Sequence, residues 1–428
     1  MPLTINKESH MRNAILTVIA ASLLICTSAM SAPGEYDIKT TKLADHIYEL
    51  SFDGGGYTVK VIASVGVDGI LLVDTGKKQA AEDLRAKLRT LAPGDPKIII
   101  LTHEHAEHLG GNELFGKEPV VIGHSSLRSI LKQGAFLYEE FSEATLPDIG
   151  LNDSLSVFFN GEEIKVIAVT GSHSGSDLVV WFTKSRDACV AGICNSPFFP
   201  SVDEETGDVL KYSSAVQRII DVLPPDVTIV PGHGTDCTIV ELRKFHDMLF
   251  KTTEIVRSEL AKGKDIATIE KEDALKEWKS FEGSYTSANG WIEYLGRGFR
   301  KDPADQRPFP VEPLYYALKA KGLDSALACF QDLQKNRLDK FKFDETTAAY
   351  IGYLLFENAK MPESAGFFEL SLKEYPDGVY KELCYRNLGI AYEKTGNTSL
   401  ALKNHRKFLE LNPKDSTTAK AIERLEKE

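Results

Sequence analysis

The spacing of apolar positions changes along the chain. Between residues 42 and 74 they form short β-rich blocks, Tyr57-Thr58-Val59-Lys60-Val61-Ile62-Ala63 and Ile70-Leu71-Leu72-Val73. Turn signals at Asp53-Gly54-Gly55-Gly56 and Asp68-Gly69 bound them. Over residues 79–91, Ala81, Leu84, Leu88 and Leu91 share one stripe of a helix, which Pro93-Gly94-Asp95 ends. Ile98-Ile99-Ile100-Leu101 is then a wholly apolar strand running into Thr102-His103. Strand, helix, strand in that order predicts a sheet covered by helices. The order recurs with a helix over 125–132 and strands over 164–169, 178–182 and 227–230, the last ending at Pro231-Gly232-His233-Gly234. Helical periodicity takes over at 240–260 and 265–296. Pro303, Pro308, Pro310 and Pro313 mark 301–313 as a linker, and everything beyond it reads as helix.

Composition narrows the class. A chain of 428 residues exceeds one ordinary domain, and 43% hydrophobic with 26% charged residues is the balance of a globular protein. A net charge of -12 repels a phosphate backbone, so nucleic acid is not an expected partner. Lys7 and Arg12 precede an apolar run at 14–26, followed by Thr27-Ser28-Ala29-Met30-Ser31-Ala32. This is the order of a secretory signal peptide, so residues 1–32 predict a periplasmic or secreted protein. The run is too short to span a bilayer, so no membrane association is expected after cleavage. Without Cys26, the cysteines are Cys189, Cys194, Cys237, Cys329 and Cys384, an odd and sparse set that is no disulfide framework.

The chemistry is concentrated in Thr102-His103-Glu104-His105-Ala106-Glu107-His108-Leu109-Gly110-Gly111-Asn112, directly after an apolar strand. On an extended segment, His103 and His105 point to the same side and converge two imidazoles; His108 follows a short turn later and serves a neighbouring ion. Imidazole suits zinc, and water completes a catalytic site. Single histidines at other strand ends supply the rest: His173 in Thr170-Gly171-Ser172-His173-Ser174-Gly175 and His233 in Pro231-Gly232-His233-Gly234, with glycines that permit tight turns. His46, His124, His246 and His405 lie outside this pattern.

This set resembles the metallo-β-lactamase superfamily, whose pattern is His-x-His-x-Asp-His, a His in a Gly-His-Thr/Ser turn, a bridging Asp after Gly, and a final His in Gly-His-Gly. Val73-Asp74-Thr75-Gly76 is similar to the family's Val-Asp-Thr-Gly turn. The resemblance covers about residues 42–250. It implies an α+β fold, an αββα sandwich over residues 33–250; the helical periodicity after it reads as a helical extension at 251–300. The resemblance further implies one or two zinc ions, with His103, His105 and His173 on the first and His108 and His233 helping to hold the second. Beyond the linker, Leu388-Gly389, Tyr392, Gly396, Ala401 and Pro413 fall where a tetratricopeptide repeat places those residues, with weaker matches upstream. Residues 314–428 are therefore expected to be an all-α repeat domain for a protein partner, for self-association, or for covering the catalytic domain.

Two positions depart from the family. Glu107 stands where the family has Asp; its longer arm can still reach the second metal as a ligand, with the carboxylate moved by roughly 1.5 Å. Ile193 in Ala191-Gly192-Ile193-Cys194-Asn195 replaces the bridging Asp and cannot bind a metal. Cys194 beside it is a candidate thiolate ligand, by similarity to enzymes whose second zinc uses Asp, Cys and His; its alternative is a small buried hydrophobe or a partner of Cys189 or Cys237. The resemblance implies a hydrolase in which zinc lowers the pKa of its water to about 7. The resulting metal-bound hydroxide attacks an ester, lactam, thioester or sulfate-ester substrate, with Glu107 orienting the nucleophile or accepting its proton. Asp177 reads either as support for a ligand or as a turn residue. Two other readings stay open: a mononuclear or non-catalytic metal-binding protein acting through its repeats, and iron-dependent sulfur oxidation on the same fold.

Overall fold

The computed structural model describes residues 34–427, apart from 56, 116–117, 135–145, 195–196, 204–205, 284–285, 301–306, 379 and 414. The expected leader at 1–32 and part of the linker lie outside the described residues.

Two sheets stack face to face. The first has seven strands in sequence order, β1 (Lys39–Lys42), β2 (Ile47–Asp53), β3 (Thr58–Gly66), β4 (Gly69–Val73), β5 (Ile98–Ile100), β6 (Val120–His124) and β7 (Ile149–Leu151). It is antiparallel from β1 to β4 and parallel from β4 to β7. The second has the order β13 (Cys237–Thr238), β12 (Thr228–Pro231), β11 (Asp187–Ala191), β10 (Leu178–Phe182), β9 (Glu162–Ala168) and β8 (Ser154–Phe159), with β11 and β12 parallel.

The continuous apolar run in β4 is explained by burial on both faces. Leu71 and Val73 point to the cluster between the sheets, with Ile62, Ile100, Val166, Val180 and Val230. Ile70 and Leu72 point outward onto Leu84 and Leu88 of helix α1 (Ala81–Leu91). Short helices α2 (Ala106–Leu109) and α3 (Asn112–Phe115), and α4 (Leu127–Gly134), share that outer layer through Leu109, Phe115 and Leu127. The second sheet is covered by α5 (Tyr212–Val222), α6 (Ile239–Ala261), α7 (Ile266–Lys271) and α8 (Ala288–Arg300). Val179, Val190 and Ile229 of that sheet pack with Ile219, Phe245, Val256, Ile269 and Trp291. The layers are thus αββα. Residue 250 lies inside the single helix α6, and the 251–300 stretch contributes to the same core as the second sheet.

Seven helices follow among the described residues: α9 (Val311–Lys321), α10 (Leu323–Asn336), α11 (Glu345–Glu357), α12 (Met361–Glu374), α13 (Lys381–Lys394), α14 (Thr398–Leu411) and α15 (Ser416–Leu425). Small residues set the helix spacing. A Cβ on Gly389 of α13 would lie 2.4 Å from His405 Nδ1 of α14, and one on Gly352 of α11 would lie 2.8 Å from the Phe368 ring of α12. This region closes on the sandwich through Glu357. Its carboxylate accepts from Tyr57 Oη at 2.8 Å and sits 3.2 Å from Lys77 Nζ, with Glu357 and Lys77 both buried.

Candidate metal centre

The site lies where strand ends from both sheets meet. Asp74 follows β4, His103 and His105 follow β5, His108 sits on α2, His173 follows β9 and His233 follows β12. Two groups of three result, His103 with His105 and His173, and Glu107 with His108 and His233. Within each group one donor atom per residue lies within 4.8 Å of the others.

Hydrogen bonds on the far side of the rings decide which nitrogens face inward. The Asp74 carboxylate accepts from Thr102 N (2.8 Å), Thr102 Oγ1 (2.8 Å) and His108 Nδ1 (2.9 Å). Because the Thr102 hydroxyl proton is committed to Asp74, His103 Nδ1 donates to Thr102 Oγ1 at 2.9 Å, leaving Nε2 a bare acceptor. His173 Nδ1 donates to Ser201 O (3.0 Å) and His233 Nδ1 to Thr58 O (2.7 Å). Each of these four imidazoles therefore presents an Nε2 lone pair. Two such lone pairs, on His108 and His233, face each other at 3.3 Å, and His173 Nε2 faces His105 Nδ1 at 3.1 Å. His103 Nε2 and Glu107 Oε2 are buried with no hydrogen-bond partner among the described residues, while His105 turns Nδ1 to His173 and Nε2 to Asp203. Convergent lone pairs and orphaned acceptors in a buried place are the donor set of a metal cofactor, and the residues present fit one.

The electrostatics point the same way. Burial opposes a charge on His105, yet Asp203, Glu107 and Glu104 together raise its pKa to about 10. The acids of the site thus demand a positive charge. Burial and the neighbouring His105 push His173 down to about 3, and burial drives His103 well below its ordinary value.

Cys194 requires a correction. It belongs to neither ligand group; its side chain is buried in the apolar cluster with Ile193, Phe199 and Tyr212. The turn after β11 explains why. Ala191 adopts φ 44°, and Tyr212 Oη donates to Gly192 O (3.2 Å) and Ile193 O (2.9 Å), fixing the turn. This aims Gly192 at the site: a Cβ there would lie 2.3 Å from His173 Nε2. The chain position facing the ligands has no side chain, and the sulfur turns into the core.

Three other acids have clear places. Asp203, which the sequence reading passed over, has Oδ2 3.5 Å from His105 Nε2, while Oδ1 accepts from Thr206 N and Oγ1, each at 2.8 Å. Burial works against its charge, but His105 and Thr206 hold the carboxyl at about 2. Glu104, also passed over, accepts from Ser176 Oγ, from Gly175 N (3.1 Å) and from Thr206 Oγ1 (2.6 Å), tying three loops of the site together. Asp177 braces the His173 turn by accepting from Ser172 Oγ (2.9 Å), Ser174 N (2.8 Å) and Ser174 Oγ (2.6 Å). Burial and the nearby Glu104 raise its pKa to about 7. No short sequence pattern flagged Asp203, because it reaches the site from a loop after β11.

The metallo-beta-lactamase superfamily profile matches residues 55–233. Metallo-beta-lactamase domain-containing protein 1 of Mus musculus is 31% identical over 200 residues, covering 44% of this chain and 68% of that protein. The Rattus norvegicus protein of the same name is 29% identical over 196 residues, covering 44% and 70%. The Bacillus subtilis (strain 168) protein "Probable metallo-hydrolase YqjP" is 26% identical over 242 residues, covering 46% and 74%. Among solved structures, a metallo-beta-lactamase from Pontibacter korlensis aligns with TM-score 0.44 and 17% identity over 50% of this chain and 99% of that one. On its histidine set, its two-sheet fold and a relative of 31% identity spanned over more than two thirds of its length, the chain belongs to the metallo-beta-lactamase superfamily of metal-dependent hydrolases.

Proposed function

We propose that this protein is an exported zinc hydrolase holding one ion in each of the two ligand groups and cleaving an ester, lactam, thioester or sulfate ester. The observation that carries the reading is the pair of bare imidazole contacts, His108–His233 at 3.3 Å and His105–His173 at 3.1 Å, with the orphaned Glu107 oxygen beside them. His103, His105 and His173 would hold one ion, and Glu107, His108 and His233 the other. Zinc supplies a Lewis acid for the substrate oxygen and hydroxide at neutral pH.

The chain's own residues do the rest. Asp74 and Thr102 fix two ring tautomers, which sets the direction of the ligand lone pairs. Asp203 stands against the outer nitrogen of His105, which holds the ring with Nδ1 toward the other ligands. Glu107, with Oε2 unpartnered, orients the nucleophile and accepts its proton. Tyr353 and Tyr380 of the helical region line the cleft and give it an apolar, aromatic wall beside the candidate ligands. Export rests on the charged, apolar and small-residue order of residues 1–32. The helical region is read as tetratricopeptide-like from the Gly389 approach to α14.

The test is turnover of a panel of the four bond types by full-length protein, stripped with chelator and then reloaded with zinc. Activity on at least one that disappears and returns is expected. A zinc-loaded, folded protein inert on all four would overturn the reading.

A further inference from the structure

The cleft over the ligand groups has two walls of different origin. One is the strand-end side, with His105, Glu107, Asp203 and His233; the other comes from α11 and α13 of the helical region. Its volume is about 90 Å³, room for a small organic group and not for a folded partner.

On the helical wall, Asn387 of α13 is the informative residue. It lines the cleft, is 1% exposed, and neither Oδ1 nor Nδ2 has a hydrogen-bond partner among the described residues. Burying an amide with both ends unmatched is costly, and such groups in folded proteins need an explanation. Asn shows an acceptor and a donor side by side, and the group that matches both is another carboxamide. A carboxylate offers only acceptors and would leave Oδ1 facing oxygen. The charges across the cleft agree, since Glu107, Asp203 and Glu357 line it against Arg386. Around Asn387, Tyr350, Tyr353 and Tyr380 with Leu383 provide a broad aromatic and apolar surface. The Arg297 guanidinium lies 4.9 Å from the Tyr294 ring centroid and 4.8 Å from that of Tyr380, the residue capping the start of α13, and so ties that end of α13 to α8 of the sandwich.

We propose that the helical region is the substrate-recognition wall of the hydrolytic cleft. Asn387 pairs there with the carboxamide of a small uncharged substrate whose apolar or aromatic body lies on the tyrosines. This rests on the hydrolase reading for the word substrate, but the recognition itself does not depend on turnover.

The experiment measures binding of N-acetyl-L-phenylalaninamide to the metal-stripped full-length protein by calorimetry, beside N-acetyl-L-phenylalanine, which carries a carboxylate in place of the terminal amide. The variants are Asn387→Leu, which removes both polar atoms, and Asn387→Asp, which keeps the shape should the first fail to fold. Binding of the amide ahead of the acid, weakened about tenfold or more in a folded variant, is expected from the loss of paired buried hydrogen bonds. No binding to the wild-type chain, equal binding of amide and acid, or unchanged affinity in either folded variant would overturn the proposal. A parallel assay of the zinc-loaded enzyme on N-acetyl-L-phenylalanine p-nitrophenyl ester separates the two readings: selective binding without any turnover there or on the bond-type panel supports the recognition wall and counts against the hydrolase.

Discussion

The Asp74 carboxylate lies 2.9 Å from His108 Nδ1, while the opposite nitrogen of the same ring stands 3.3 Å from His233 Nε2. Asp74 itself has φ 65°, a left-handed backbone that few residues other than Gly adopt without cost. The strand-end turn therefore spends backbone strain to place one carboxylate behind a ligand. Asp74→Ala removes the acceptor for both His108 and Thr102. Chelator competition is expected to show metal affinity of the Glu107, His108, His233 group down by about 10–100-fold. Unchanged affinity would mean that the rings are oriented by packing alone.

The turn after β11 gives a paired test. A Cβ on Gly192 meets the His173 ring, so Gly192→Ala is expected to displace that ligand and lower metal content as measured by mass spectrometry. Cys194→Ala, in the apolar cluster, is expected to leave metal content unchanged and to lower stability modestly, by about 1 kcal/mol. The reverse pattern would restore the sulfur as a ligand.

The contact between sandwich and helical region depends on Glu357. Glu357→Ala takes the carboxylate away from the buried Lys77 ammonium and from the Tyr57 hydroxyl, leaving Lys77 its bond to Gly54 O at 2.6 Å and its place 4.8 Å from the Tyr57 ring centroid. Breaking a buried pair from one side costs about 3 kcal/mol. Denaturant unfolding is expected to show a loss of that order, and amide exchange in α11 is expected to rise. A shift within error would mean that the two parts are held elsewhere.

Acid pairing sets a pH response. Burial and repulsion from Glu270 raise the Glu293 carboxyl from its ordinary 4.5 to about 9. The folded chain thus holds a proton that the unfolded chain releases above about 4.5. That contribution to stability is complete below the unfolded value and is lost as pH rises through the folded one. The melting temperature is expected to fall as pH rises from about 4.5 to 9, and Glu293→Gln should flatten the slope. An identical slope in the variant would remove Glu293 from the response.

The fold was legible where burial is unambiguous. Ile98 to Leu101 and Ile70 to Val73 read as strands because both faces of each are covered. Ser154 to Phe159, with its half-exposed edge pattern, and Tyr212 to Val222 were not assigned. The histidines were legible because their spacing follows strand and turn geometry. Asp203 and Asn387 were not, since each reaches the cleft through tertiary packing and carries no local pattern. Cys194 stayed open between ligand and buried hydrophobe, because sequence spacing alone does not say which way a turn points a side chain; the structure places it in the apolar cluster.

Metal content of the full-length protein, beside His108→Ala, tests the central claim most directly. Near two zinc ions per folded chain, falling to about one in the variant, is the expected result. Folded protein that takes up no metal when zinc is supplied would contradict it.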